Sequence, residues 1–216
     1  VSKQVADLST ATNFVWTLFA GFLVMFMQAG FALVETGLTR AKNVAHTMGM
    51  NFLVYSIGVL GFWSVGFALQ MGGVGAIFGG DATLSSEFTV TIAGHTLGLF
   101  GTSGFFLTGA TFTSGVAAMF LFQMVFMDTT CTIPTGAMAE RWKFSGFVIF
   151  SFFIATIIYP IYGNWTWGGG FLKQLGFKDF QMPSFRKGFL CNSMEMHPLW
   201  SSIEDAHLPL SFQIGA

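Results

Sequence analysis

Two phenylalanines four residues apart, Phe122 and Phe126, stand in the run Leu121-Phe122-Gln123-Met124-Val125-Phe126-Met127-Asp128. On a helix that spacing puts both rings on one face, one turn above the other. Trp167 follows just beyond the next apolar segment, in Tyr162-Gly163-Asn164-Trp165-Thr166-Trp167-Gly168-Gly169-Gly170. The face of an aromatic ring attracts positive charge, with about 2 kcal/mol available where the ion is desolvated. Aromatic rings at the mouth and throat of a membrane helix bundle are therefore candidate cation sites. The competing reading is packing against core or lipid, the default for any one pair in a chain with 28 Phe.

The titratable residues offer fewer openings. Asp128 lies inside an apolar segment, where an acid is costly and is by default a candidate functional group. Its neighbours Thr129, Thr130 and Thr132 offer hydroxyls, which favours a polar clamp between helices over a transport role. Glu35 and Glu140 sit beside basic residues in short polar turns and read as structural ion pairs. Gly168 to Gly170 permit a tight backbone turn and form no phosphate loop, because no Lys-Ser/Thr follows. His46, His95, His197 and His207 read as solvated or capping residues. Cys131, in an apolar segment, and Cys191, in a polar one, make neither a disulfide nor a zinc framework. No nucleophile–base arrangement and no metal-ligand spacing is present, so the expectation is no enzyme, no metal and no cofactor.

These residues must be held by helices in a bilayer. Only 9% of residues are charged and 53% are hydrophobic, against about 25% charged in soluble domains. The mean hydropathy of +0.65 agrees. A net charge of −1 excludes a nucleic-acid surface. Four apolar runs are long enough to cross about 30 Å of hydrocarbon: residues 14–34, 47–71, 113–137 and 144–162. Asn13 can cap the first and Gly37 loosen its end. Gly49, Gly58, Gly61 and Gly66 stud the second, as close helix approach in lipid requires. Pro134 and Pro160 stand near the ends of the third and fourth. Residues 72–103 read as an irregular exposed loop with a short strand over 88–92. The chain begins Val1-Ser2-Lys3 without an initiator Met, which allows processing upstream. Its first apolar run is too long for a signal-peptide core and has no small-residue cleavage site.

Arg40 and Lys42 lie in one loop and Arg141 and Lys143 in another, with no Lys or Arg between Lys42 and Arg141. Two spans separate the basic loops, so both fall on one face, the cytoplasmic face by the positive-inside rule. The N-terminus, the 72–103 loop and Trp167 are then expected outside. Residues 181–216 turn polar, with no run long enough to span a bilayer, and read as a poorly ordered tail.

Several motifs together resemble the ammonium transporter family (Amt/Mep/Rh): the run from Gln28 to Asn43, Phe122 to Phe126, Gly136-Ala137-Met138-Ala139-Glu140-Arg141, Trp167 to Gly170, and Gly176-Phe177-Lys178-Asp179-Phe180. The resemblance runs from Asn13 to Phe180. It implies an all-α polytopic membrane protein in the plasma membrane, with eleven spanning helices in two inverted halves. Such repeats, with the substrate path at their interface, are a general transporter architecture. Residues 1–180 then make the N-terminal half, with the first four spans. The resemblance further implies a homotrimer with one pore per subunit, ammonium or methylammonium as substrate, and a cytoplasmic regulatory partner. By position Trp167 and Phe126 resemble the outer aromatic cation site. Phe122 and Phe126 resemble the stacked pair that closes the pore, and Asp179 the acid that steadies the outer site without touching the ion.

The pattern breaks after Phe180. Gln181-Met182 replace the family's Ala-Gly, and Lys187 occupies the position of the first pore histidine. No histidine of this chain falls in a matching motif. The expectations are a tail foreign to the family and a truncated chain that does not transport by itself. The alternatives are an ammonium-sensing membrane module and a non-transporting subunit that joins full-length trimers.

Overall fold

The computed structural model describes residues 2–77, 82–92 and 95–174. Four rods dominate it, over Lys3–Leu38, Ala41–Met71, Ser114–Ala137 and Phe144–Thr166, all long and apolar enough to cross a membrane. The chain is a mostly helical, membrane-spanning protein.

The first rod, α1 (Ser2–Leu38), starts well before the apolar run. Asn13, expected as its cap, lies inside the helix, and the polar residues before it simply continue the turns. At about 1.5 Å per residue the helix is longer than the hydrocarbon layer is thick. Phe19, Leu23 and Phe26 face outward along it, Phe26 being 78% exposed.

The second rod is α2 (Val44–Gly61), a π-helical turn (Phe62–Gly66) and α3 (Phe67–Met71). The fourth repeats the device: α5 (Phe144–Phe153), a π-helical turn (Ile154–Ile158) and α6 (Tyr159–Thr166). The two π turns meet where Gly66 faces the backbone of Ala155. A Cβ on Gly66 would stand 2.5 Å from the Ala155 carbonyl oxygen, so only glycine permits this approach. Phe62, fully buried, fills the adjoining space against Phe120, Phe67 and Tyr159.

The third rod, α4 (Ser114–Ala137), is capped by Thr113, whose hydroxyl accepts from the Val116 N–H at 3.3 Å. It is central to the bundle and packs on α1, α2 and the end of the fourth rod. Its buried positions include Val116, Met119, Phe122, Val125 and Met127.

Between α3 and α4 the chain departs from the expected irregular loop. Strands β1 (Gly75–Ala76) and β2 (Ala82–Leu84) pair antiparallel, as do β3 (Glu87–Ile92) and β4 (His95–Gly101). In the second pair Glu87 meets Gly101 and Val90 meets Leu97, with a bulge between Phe88 and Thr89. The Phe88 and Phe100 rings stack 5.0 Å apart at 9°. The pair is pinned to the helix ends: the Ser86 N–H and the Ser103 hydroxyl both donate to the Gly72 carbonyl, at 3.0 and 2.6 Å.

Candidate functional site

Phe122 and Phe126 project from α4 as the four-residue spacing requires. Their ring centroids are 4.9 Å apart and the planes are tilted by 57°, an inclined contact rather than a parallel stack. Phe122 is buried, with its backbone and ring against Gly21 of α1, and Phe126 is half-buried.

Trp167 closes α6. Its N–H donates to the Gly163 carbonyl at 2.8 Å and that of Gly170 to the Asn164 carbonyl at 2.9 Å, while Gly169 takes φ +94°, open to glycine alone. A Cβ on Gly168 would strike the Gln70 carbonyl oxygen, so this glycine is required by close approach. Next to the turn, α7 (Phe171–Gln174) places Phe171 against Trp165, 5.0 Å between centroids.

The aromatic residues are held by polar groups that sequence reasoning missed. Gln70, fully buried at the end of α3, donates from its amide nitrogen to the amide oxygen of Gln123 at 2.8 Å. The Gln70 carbonyl accepts from the Asn164 side chain at 3.1 Å. One residue thus joins the helix of Phe122 and Phe126 to the turn of Trp167. Tyr159 is the ring beside Trp167, at 6.4 Å and 49°. Among the described residues the ring contacts are Trp167 with Tyr159 and Phe126 with Phe122; Trp167 and Phe126 are not in ring contact. The only forward signal for this clamp was the presence of Gln and Asn in apolar runs, where a lone amide needs a partner. Asp179 lies outside the described residues.

The strand pair closes over the same end. Trp165 donates from its indole nitrogen to the Leu99 carbonyl at 2.9 Å. Glu87 fits between Gly73 and Gly98, where any Cβ would collide with its side chain. Burial pushes the Glu87 carboxyl above its ordinary value, and the neighbouring Asn164 amide acts the other way.

At the opposite end Glu140 is an ion-pair partner, with its Oε2 2.6 Å from Nη2 of Arg40. The Arg40 N–H and Nε–H also donate to it, each at 2.7 Å. This places Glu140 well below the usual range, at about 2, mainly through the Arg40 side-chain hydrogen bond. Glu35, read alike in the sequence, is not so paired. It accepts from Asn51 Nδ2 at 2.8 Å and from the Thr135 hydroxyl, because it faces the α2–α4 seam instead of the basic turn. Of the hydroxyls expected to clamp helices around Asp128, one does so. Thr129 and Thr130 donate back to Val125 and Phe126 carbonyls of their own helix, and Thr132 meets Gln28. His46 lies edge-on to Phe144 at 5.9 Å. Cys131 is buried, with its thiol 3.6 Å from the Met127 sulfur. Among the described residues no three metal-ligating side chains come together.

Comparison with known proteins decides what this arrangement belongs to. The sequence model of the Ammonium Transporter Family matches residues 15–184, which include α4, the fourth rod and the Trp167 turn. The chain belongs to the ammonium transporter family. "Ammonium transporter Amt2" of Archaeoglobus fulgidus is 42% identical over 165 residues, covering 76% of this chain and 31% of that protein. "Ammonium transporter Amt2" of Haloferax mediterranei is 39% identical over 182 residues, covering 83% of this chain and 36% of that one. Among solved structures a "Sensor Amt Protein" superimposes with TM-score 0.62 at 34% identity, covering 83% of this chain and 41% of its own. Candida albicans Mep2 has the same fold, with TM-score 0.56 at 24% identity over 76% of this chain and 33% of its own. The chain thus spans roughly a third of the length of these ammonium transporter relatives.

Proposed function

We propose that these helices form the N-terminal half of a pore that moves ammonium or ammonia across the plasma membrane, with no enzymatic step. The observation that carries the reading is the family match over 15–184, within which Phe122, Phe126 and Trp167 fall. Trp167 and Phe126 recruit the cation, held at a helix end by the Gln70 clamp, and Phe122 with Phe126 narrows the path beneath. A dry, aromatic-lined throat disfavours a full ammonium charge and passes neutral ammonia more cheaply. Asp179 steadies the outer site from a distance. The assembly is a homotrimer with a cytoplasmic regulatory partner.

Arg40 meets Glu140, so the turns with Arg40, Lys42, Arg141 and Lys143 share one end of the bundle. Their basic charge makes that end cytoplasmic, with the strand pairs, the Trp167 turn and the N-terminus outside. Residues 1–180 act as the family unit; the polar stretch 181–216 lies outside the described residues.

Half a pore leaves one side of the aromatic path open to lipid. The chain expressed in cells lacking their own ammonium transporters is therefore expected in the membrane without methylammonium uptake above background. Saturable uptake by this chain alone, reduced by Trp167→Leu, would contradict the half-pore reading.

A further inference from the structure

Helices α1, α2 and α4 enclose a second set of polar groups that the aromatic path does not use. On α4, Asp128, Thr132 and Thr135 recur at four and three residues and so share one face. That face meets Asn51 and Tyr55 of α2 and Gln28 and Glu35 of α1 in layers. In the layer nearest the Arg40 turn, Glu35 accepts from Asn51 Nδ2 at 2.8 Å and from the Thr135 hydroxyl. One turn on, the Gln28 amide nitrogen donates to Thr132 Oγ1 at 2.6 Å and to the Asn51 carbonyl at 3.1 Å. The Thr132 hydroxyl also lies 3.0 Å from Gln28 Oε1 and 3.5 Å from Asn51 Oδ1. One further turn brings Tyr55 on α2, its hydroxyl 3.7 Å from the Met25 sulfur, and Asp128 on α4.

Asp128 is 1% exposed and its Oδ1 has no hydrogen-bond partner. A carboxylate oxygen buried without a donor is expensive in any interior and more so in a bilayer. Glu35, by contrast, is met by two donors. Thr132 stands one helical turn from Asp128 on the same face, and its hydroxyl gathers further oxygens, Gln28 Oε1 at 3.0 Å and Asn51 Oδ1 at 3.5 Å. Carboxylate, carbonyl and hydroxyl oxygens are the ligands of hard cations. A lone carboxylate among neutral oxygens balances a single positive charge, whereas a divalent ion would leave net charge in the membrane.

We propose that Asp128, with Thr132, Gln28 and Asn51, forms a binding site for one monovalent cation, separate from the aromatic path. Such a site would tie the three helices together when filled. It does not depend on the transport reading, because alkali ions and ammonium are both candidate occupants.

The test is thermal unfolding of the chain in detergent, in sodium, potassium or ammonium chloride against N-methylglucamine chloride at equal ionic strength. At least one small cation is expected to raise Tm saturably, by a few degrees, as a ligand that binds only the folded form does. Asp128→Asn should abolish the rise and Trp167→Leu should keep it. Thr132→Val, which retains the carboxylate, should need several-fold more cation for the same rise, and serves if Asp128→Asn does not fold. No ion-specific rise in the unsubstituted chain would mean a carboxyl neutralised by a proton alone, and would overturn the proposal. So would a rise that survives in Asp128→Asn, or that Thr132→Val leaves at the same cation concentration. A rise lost only in Trp167→Leu would assign the ion to the aromatic site and equally overturn it.

Discussion

The amide nitrogen of Gln70 donates to the amide oxygen of Gln123 across 2.8 Å, in a part of the bundle where both side chains are buried. Gln123 is the immediate neighbour of Phe122, and the Gln70 carbonyl receives Asn164, three residues before Trp167. Truncating one amide strands the other. Gln70→Met should therefore lower stability by about 1–3 kcal/mol, read as a lower unfolding midpoint in detergent. Replacing both, Gln70→Met with Gln123→Met, should recover much of the loss, because no buried polar group is left unpaired. A double variant as unstable as the sum of the singles would show that the pair does not interact.

The contact between the two π turns makes a contrast between two glycines. Gly66 stands 2.5 Å in Cβ terms from the Ala155 carbonyl, with Phe62 and Pro160 also close. Gly66→Ala should cost about 1–3 kcal/mol through overpacking. Gly30 of α1 has nothing within 4 Å of its Cβ position. Gly30→Ala should be neutral or stabilise by roughly 0.5–1 kcal/mol, since alanine is the better helix former. Melting both variants beside the unsubstituted chain checks the order, and a Gly66→Ala protein as stable as Gly30→Ala would refute the close approach.

The ion pair between the two basic turns has a pH signature. Glu140 is held at about 2 by Arg40, below its unfolded value. A depressed carboxyl contributes stability above the unfolded pKa, near 4.3 for Glu, and loses it as pH falls toward the folded value. Arg40→Gln should thus melt slightly lower than the unsubstituted chain at pH 7. The gap should close between pH about 4 and 2, and it should shrink in high salt because the pair is exposed. A gap that persists at pH 2 would assign the effect to something other than the pair.

The spans were readable because each is a long apolar run, and Phe122 with Phe126 because helical spacing alone brings them together. Their limits were less so: nothing in Ser2 to Asn13 is apolar enough to mark the extension of α1. The strand pairs were obscured by Gly98 and Gly101, which interrupt any alternation and were placed by tight packing on α3 and Glu87. Glu35 was misassigned because local sequence offers basic neighbours, while its partners Asn51 and Thr135 come from two other helices. The Gln70 clamp is equally non-local. Polar residues in an apolar run declare that a partner exists without saying which one.

In the proposed function, Phe126 and Trp167 carry the ammonium path in this half of the pore. A hybrid in which residues 15–174 replace the matching part of Archaeoglobus fulgidus Amt2 tests it, with methylammonium uptake measured in transporter-deficient cells. Saturable uptake is expected, cut about tenfold or more by Trp167→Leu and by Phe126→Ala, the scale of a lost cation–π contact. Equal uptake with and without those substitutions, at equal amounts in the membrane, would contradict it.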